Sequence, residues 1–342
     1  MKKTFLDYKN YIIAFFVINL PLMFISSYQL DYSLIAPGLI NNIDSFIIIE
    51  GGYDFNDTFN TTSVIVVDKV TILQYLLGNY DKNVSVNAFP KYYEHIDLGD
   101  LNTMDYLMKD NSLSTSIVVG IENSNYDIDY VSYLTVFLTY DYLTPNSLEI
   151  GDKIIEVNGS EDLETTLSNV GCDETAIFKV IRDDEIITLN ATKNSHDNNT
   201  CSFGLYLRYY TEIINKDSRV TLDIIDTNTG GPSGGLMQAM YVYYRLTDVN
   251  LENNLTIAGT GTIDIDGNVG SIGGVQQKII TAALNHVDIF FVPHLSDKET
   301  DNYIQALKVY NTLDTEMVLV GVSTFDEAIE YLNNYDSGDL NE

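Results

Sequence analysis

The sequence predicts a mixed α/β (α+β) protein in three parts: an N-terminal transmembrane helix, a β-rich domain and a C-terminal α/β domain. Three observations carry this. Residues Tyr11–Tyr28 are apolar apart from Asn19, Pro21, Ser26 and Ser27. Between about 112 and 200, short β-branched runs are separated by Gly and Asp turns. Beyond 201, strand-length apolar runs alternate with segments of helical period, the pattern of a sheet covered by helices.

A chain of 342 residues has room for two domains, and its 45% hydrophobic content is ordinary for a folded protein. Its net charge of −31, from 18 basic and 49 acidic residues, argues against nucleic acid and anionic lipid as partners. The charge is spread without a long single-sign run, as on a well-solvated surface, and ends in a short acidic tail at 336–342. Cys172 and Cys201 form no C-x-x-C, and His95, His196, His286 and His294 are scattered, so no metal site or cofactor is expected. The two cysteines pair if the domain lies outside the cytoplasm; otherwise they are two separate thiols.

The first thirty residues hold the anchor. Eighteen helical residues cover about 27 Å, the lower end for a bilayer core. Lys2, Lys3 and Lys9 precede the span and almost no basic residue follows it, which puts the N-terminus in the cytoplasm. A cleaved signal peptide is the competing reading. The span lacks an A-x-A site, although Ile25-Ser26-Ser27 imitates one, and an uncleaved anchor is favoured.

Residues 31–111 read as packing and spacer: strands at Ser45–Glu50 and Ser63–Asp68, helices at Val70–Leu77 and Leu101–Met108. From 112 to 200 the clearest phrase is Leu148–Ser160, where a Gly151-Asp152 turn opens the strand Lys153–Val157 and Asn158-Gly159 closes it. Phe178–Ile181 and Glu185–Leu189 then form a hairpin about Asp183-Asp184. The phrase G-D-K-I-I-E-V-N-G resembles the second half of a PDZ domain. That resemblance implies a PDZ-like fold able to add an extended peptide to a sheet edge. The Gly-rich loop with which that family holds a peptide carboxylate is missing near Tyr130–Thr139, which leaves peptide-end binding open. The three Asn-x-Ser/Thr triplets beginning at Asn56, Asn158 and Asn254 carry no weight in so Asn-rich a chain.

The last domain, 201–335, contains the chemistry. Ser233 sits in the turn Gly230-Gly231-Pro232-Ser233-Gly234-Gly235, directly before a segment with Leu236, Met240 and Tyr243 at helical spacing. Unpaired N–H groups at such a turn, around Gly231, Pro232 and Gly234, suit an oxyanion. A serine needs a base, and the strand Leu255–Asp264 leads through a second Gly-rich turn to a helix from Val275 to about Asn285. Lys278 lies at the edge of that helix's apolar face. Held against apolar surface its amine loses hydration and its pKa falls, so it can take a serine proton; reaching out to water it does neither. Strands at Val287–Pro293 and Met317–Val322 and a helix from Phe325 to Leu332 complete the domain.

The phrases G-G-P-S-G-G-L and G-T-G-T-I-D-x-D-G-x-V-G-x-I-G-G-V-Q-Q-K together resemble the Lon protease proteolytic domain, from about Ser202 to Leu332. The resemblance implies a Ser-Lys dyad with Ser233 as nucleophile, Lys278 as general base and Thr260 holding the lysine. Gly234 departs from the alanine usual there, and Asp226 is the one acid near enough upstream to orient the site. Anchor, Pro37-Gly38, Glu50–Tyr53, PDZ-like segment and Lon-type domain in that order resemble the membrane-anchored, PDZ-containing Lon-like proteases of Gram-positive bacteria. Classical Lon proteins add an ATPase, but G-x-x-x-x-G-K-[ST] does not occur in this chain, so the expectation is ATP-independent cleavage of unfolded protein or peptide substrates. Lon domains generally assemble as rings, so the resemblance implies a homo-oligomer unless the tether keeps the copies apart. A membrane-anchored peptide-binding scaffold with an inert protease fold, and a protease that releases its own ectodomain, are the alternatives.

Overall fold

The computed structural model describes residues 2–335 except 94, 141–143, 145–146, 197–199, 228–229 and 250–253; the acidic tail lies outside the described residues. The chain opens with a 26-residue helix, Lys2–Ser27. Its segment Tyr8–Ser27 has a mean hydropathy of 1.7 and buries nothing against the protein, so by length and composition it is able to cross a membrane. Three of its polar side chains are satisfied within the helix. Asn19 donates to the Phe15 carbonyl, Ser26 to Leu22 and Ser27 to Met23, at 2.6–2.8 Å.

The main sheet has six strands, in the order Val318–Val322, Ile289–Pro293, Thr256–Gly259, Thr58–Val67, Tyr32–Asn42, Ser85–Ala88. The first four run parallel and the last two pair antiparallel. Residues 31–88, expected to be spacer, therefore supply three of the six strands of the sheet that supports the C-terminal domain. The pairing of Thr58–Thr61 with Thr256–Gly259 bridges nearly two hundred residues and leaves no local signal in either segment. Alternate side chains of the parallel strands enter two cores. On one face Ile257, Ile289 and Phe291 pack with Leu236, Met240 and Tyr244 of the helix Gly235–Leu246 and with Phe325 and Ile329 of the helix Phe325–Asn334. On the other, Ala258, Phe290 and Val292 pack with Val275, Ile279 and Ala282 of the helix Val275–Leu284. Strands buried on both faces explain the unbroken apolar runs.

The second sheet is antiparallel, in the order Leu205–Lys216, Ile128–Thr139, Lys153–Val157, Glu174–Arg182, Glu185–His196, Thr200–Ser202. Its hairpin turns on Asp183 and Asp184, both at positive φ (50° and 63°), as a two-residue turn between twisted strands requires. Asp152 is 1% exposed in its side chain, and its carboxylate takes Arg182 in a bidentate pair at 2.7 Å while accepting the Glu149 N–H. That cross-link fixes the Gly151-Asp152 turn. Cys172 and Cys201 are joined as a disulfide, their Cα atoms 5.6 Å apart.

The sheets do not divide at the positions drawn from the sequence. Residue 112 falls inside one continuous helix, Leu98–Glu122, whose second half is buried against the helix Gly235–Leu246. Gly120 lets the two approach: a Cβ there would lie 2.6 Å from that of Val242. Residue 201 falls before Leu205–Lys216, which pairs with Ile128–Thr139 in the second sheet. A strand of twelve residues looks the same from sequence whichever sheet receives it.

Candidate active site

The site forms where the strand Thr256–Gly259 ends. Ser233 enters from the helix on one face of the main sheet and Lys278 from the helix on the other, and their side chains meet beyond the strand's carboxyl end, the usual place for sites in open α/β sheets. The expected continuous strand Leu255–Asp264 breaks here, into Thr256–Gly259 and Thr262–Ile263. Thr260 and Gly261 turn instead to the loop that carries Ser233. The Ser233 carbonyl accepts the Gly261 N–H (2.8 Å) and the Thr260 hydroxyl (3.0 Å), and the Gly261 carbonyl accepts the Leu236 N–H (3.1 Å).

Lys278 Nζ lies 2.6 Å from Ser233 Oγ and donates to Thr260 Oγ1 at 2.9 Å. Lys278 is 2% exposed, so its amine does not reach water. Burial lowers its pKa from the usual 10.5 to about 7. A partly neutral amine at hydrogen-bond distance from a serine hydroxyl can accept its proton. The helix carrying it begins at Gly274 in the left-handed conformation (φ 68°), where a Cβ would also press on Val64.

The turn itself is shaped by Gly231 at φ 84° and by the chain around it. The N–H groups of Ser233 and Gly234 donate to no acceptor among the described residues, leaving two donors at the start of a helix for a developing oxyanion. Gly234, at φ −91°, does not need to be glycine for its backbone. It is confined by neighbours: a Cβ would lie 3.0 Å from the Thr61 methyl and 3.1 Å from the Gln238 amide nitrogen. Thr61 belongs to the strand Thr58–Val67, outside the segment that the sequence marked as chemical.

Asp226 is not brought to the site. Its carboxylate is 86% exposed and pairs with Lys109 at 2.6 Å, which holds it below the usual carboxylate range. It sits on the surface because Lys109, from the helix Leu98–Glu122, takes it and also the Thr227 carbonyl. The same helix holds the turn by contacts that sequence reasoning missed. Ser112 Oγ donates to the Pro232 carbonyl (2.9 Å), Ser116 Oγ to the Gly235 carbonyl (2.9 Å), and the Asp105 carbonyl accepts the Gly231 N–H (3.1 Å). Ser112 and Ser116, four residues apart on one helix face, were the available signal, but such serines look like solvent residues until the partner is known.

Residues 215–333 match the family model described as the Lon protease (S16) C-terminal proteolytic domain. The chain is 24% identical over 133 residues to a Lon protease of Neorickettsia sennetsu, an alignment covering 39% of this chain and 15% of that protein. It is 27% identical over 110 residues to a Lon protease of Clostridium acetobutylicum, covering 32% and 14%. Against a Lon protease of Buchnera aphidicola subsp. Schizaphis graminum it is 30% identical over 97 residues, covering 27% and 12%. The chain thus spans about one-seventh of the length of the curated relatives it matches.

Proposed function

We propose, from the kinship of residues 215–333 with Lon proteolytic domains, that this chain is a serine endopeptidase acting through a Ser233–Lys278 dyad. The observation that carries the reading is the buried Lys278 amine 2.6 Å from the Ser233 hydroxyl. Neutral Lys278 takes the hydroxyl proton as Ser233 Oγ attacks the scissile carbonyl. The Ser233 and Gly234 N–H groups stabilise the tetrahedral oxyanion, and Lys278 returns the proton to the leaving amine. Water, deprotonated by the same amine, then attacks the acyl-enzyme and frees Ser233. Thr260 keeps the lysine aimed and, through the Ser233 carbonyl, the nucleophile in register.

The chain acts outside the cytoplasm, anchored by Tyr8–Ser27 with its N-terminus inside. The apolar helix and the Cys172–Cys201 disulfide, a bond typical of oxidising compartments, support that side of the membrane. The second sheet is the PDZ-like domain and guides substrate. Because these 342 residues contain no G-x-x-x-x-G-K-[ST], hydrolysis by them draws on no ATP, and the substrates are unfolded or flexible protein segments. The test is cleavage of an unfolded protein by the purified chain. Ser233→Ala and Lys278→Ala are each expected to abolish it while circular dichroism stays unchanged; full activity in either variant refutes the dyad.

A further inference from the structure

The short helix Ile72–Tyr80 carries a feature that catalysis does not use. Residues 70–80 include no charged side chain. On a helical projection Leu73, Leu76, Leu77 and Tyr80 fall within about 100° of one another. Leu76 is 57%, Leu77 61% and Tyr80 92% exposed. The opposite face is the one seated on the protein: Gly78 is buried, and a Cβ on it would lie 2.8 Å from Leu34 and from Val86 of the main sheet. The helix therefore turns an apolar stripe outward, on a molecule whose net charge of −31 otherwise favours water.

Its position says what covers the stripe. The helix begins where the apolar N-terminal helix ends: the Ile72 N–H donates to the Tyr28 carbonyl at 3.1 Å, and Gln29 bridges to Thr71. Tyr28, Tyr32 and Tyr75 lie at this junction, with the Tyr32 and Tyr75 rings 4.8 Å apart. Tyrosines at the end of an apolar span mark the level where acyl chains give way to headgroups. We infer that Ile72–Tyr80 lies in the outer membrane interface, its Leu73/Leu76/Leu77/Tyr80 stripe inserted among the lipids beside the span, as interfacial helices do. This rests on reading Tyr8–Ser27 as a retained membrane span. It gives the protease body a second point of attachment, so that the body is held in one orientation instead of swinging on a tether. The strand Tyr32–Asn42 leaves this junction and reaches the Lys278 helix at Gly38, whose N–H donates to Thr281. Six residues of extended chain cover at most about 20 Å, which keeps the site close to the bilayer and favours membrane-proximal segments as substrates.

The full chain, carrying single substitutions Leu77→Cys, Tyr80→Cys, Val17→Cys or Ile186→Cys, is labelled with an environment-sensitive fluorophore. It is then reconstituted into phosphatidylcholine vesicles with or without brominated acyl chains. Cys172 and Cys201 are bonded to each other and stay unlabelled. Val17 reports the span, and Ile186, 62% exposed on the second sheet, reports water. The expected result is bromine quenching at 77 and 80 comparable to that at 17, with none at 186. Quenching at 17 alone, with 77 and 80 as bright as 186, overturns the inference and leaves the anchor standing. Labels at 77 and 80 that shift to the blue without quenching point to a second copy of the chain on the stripe and also overturn it. Absence of quenching at 17 sinks the anchor and the inference with it.

Discussion

Following peptide hydrolysis as pH is varied tests the central electrostatic feature of the site, the amine that burial has stripped of water. Lys278 has its pKa lowered from 10.5 to about 7 by desolvation, and a shift of that size corresponds to roughly 5 kcal/mol of lost stabilisation of the ammonium form. At pH 8 such an amine is about nine-tenths neutral, whereas an ordinary lysine is neutral in only about three molecules per thousand, a roughly 300-fold difference in competent base. The expected kcat/KM therefore rises with a single apparent pKa near 7 and is flat by about pH 8. The sign for stability follows from the same shift. Between about 7 and 10.5 the unfolded chain binds the proton that the folded chain has released, so this group makes stability rise with pH across that window. Below about 7 both states are protonated and the full burial penalty is present. Lys278→Met removes the titration, so the stability of the native chain relative to this variant should improve by several kcal/mol from about pH 6.5 to about pH 10, read by chemical denaturation at each pH. An activity profile still climbing above about pH 9, or a stability difference independent of pH, would show that the amine keeps its solution pKa and would refute the reasoning.

Other substitutions probe the surrounding contacts. Thr260→Val removes the hydroxyl shared by Lys278 and the Ser233 carbonyl; it should lower kcat about tenfold or more with KM little changed, and Thr260→Ser should restore most of it. Asp226→Asn should leave the kinetic pH profile unmoved, since the carboxylate faces Lys109 at the surface; a displaced profile would return it to the site. Replacing Cys172 and Cys201 by Ser opens a loop spanning 29 residues and should cost roughly 3–4 kcal/mol in denaturant unfolding of the second sheet, with the apparent pKa of hydrolysis unchanged. Gly120→Val drives a side chain into Val242 and the Ala239 carbonyl. It should lower the melting temperature and kcat together, because the helix it pushes away also holds the Pro232 and Gly235 carbonyls through Ser112 and Ser116.

Much of the secondary structure was legible because its signals are local. Lys153–Val157 occupies the range expected from its flanking turns, and Ile289–Pro293 and Val318–Val322 are shorter only by their first residues. Val275–Leu284 ends one residue before the expected end. Leu98–Glu122 extends far beyond the expected Leu101–Met108, since Ser112, Thr115 and Ser116 interrupt its apolar pattern and find their partners in another element. The turns before the helices of Ser233 and Lys278 were legible because each Gly-rich phrase forces a turn within a dozen residues; the pairing of the two residues came only as what the resemblance to Lon proteolytic domains implies.

The sequence by itself determined the apolar N-terminal helix, the two Gly-rich turns, the residues able to act as nucleophile and base, and the hairpin of the second sheet. Each follows from periodicity or turn chemistry over a short span. Only the tertiary structure decided whether Lys278 points into the protein or out to water, because a residue at the edge of a helix's apolar face can do either until the sheet covers it. The tertiary structure also moved Asp226 away to Lys109 and brought residues 31–67 into the sheet that carries the site. These outcomes depend on pairings between segments one to two hundred residues apart, whose energies are set by contacts that neither segment encodes alone.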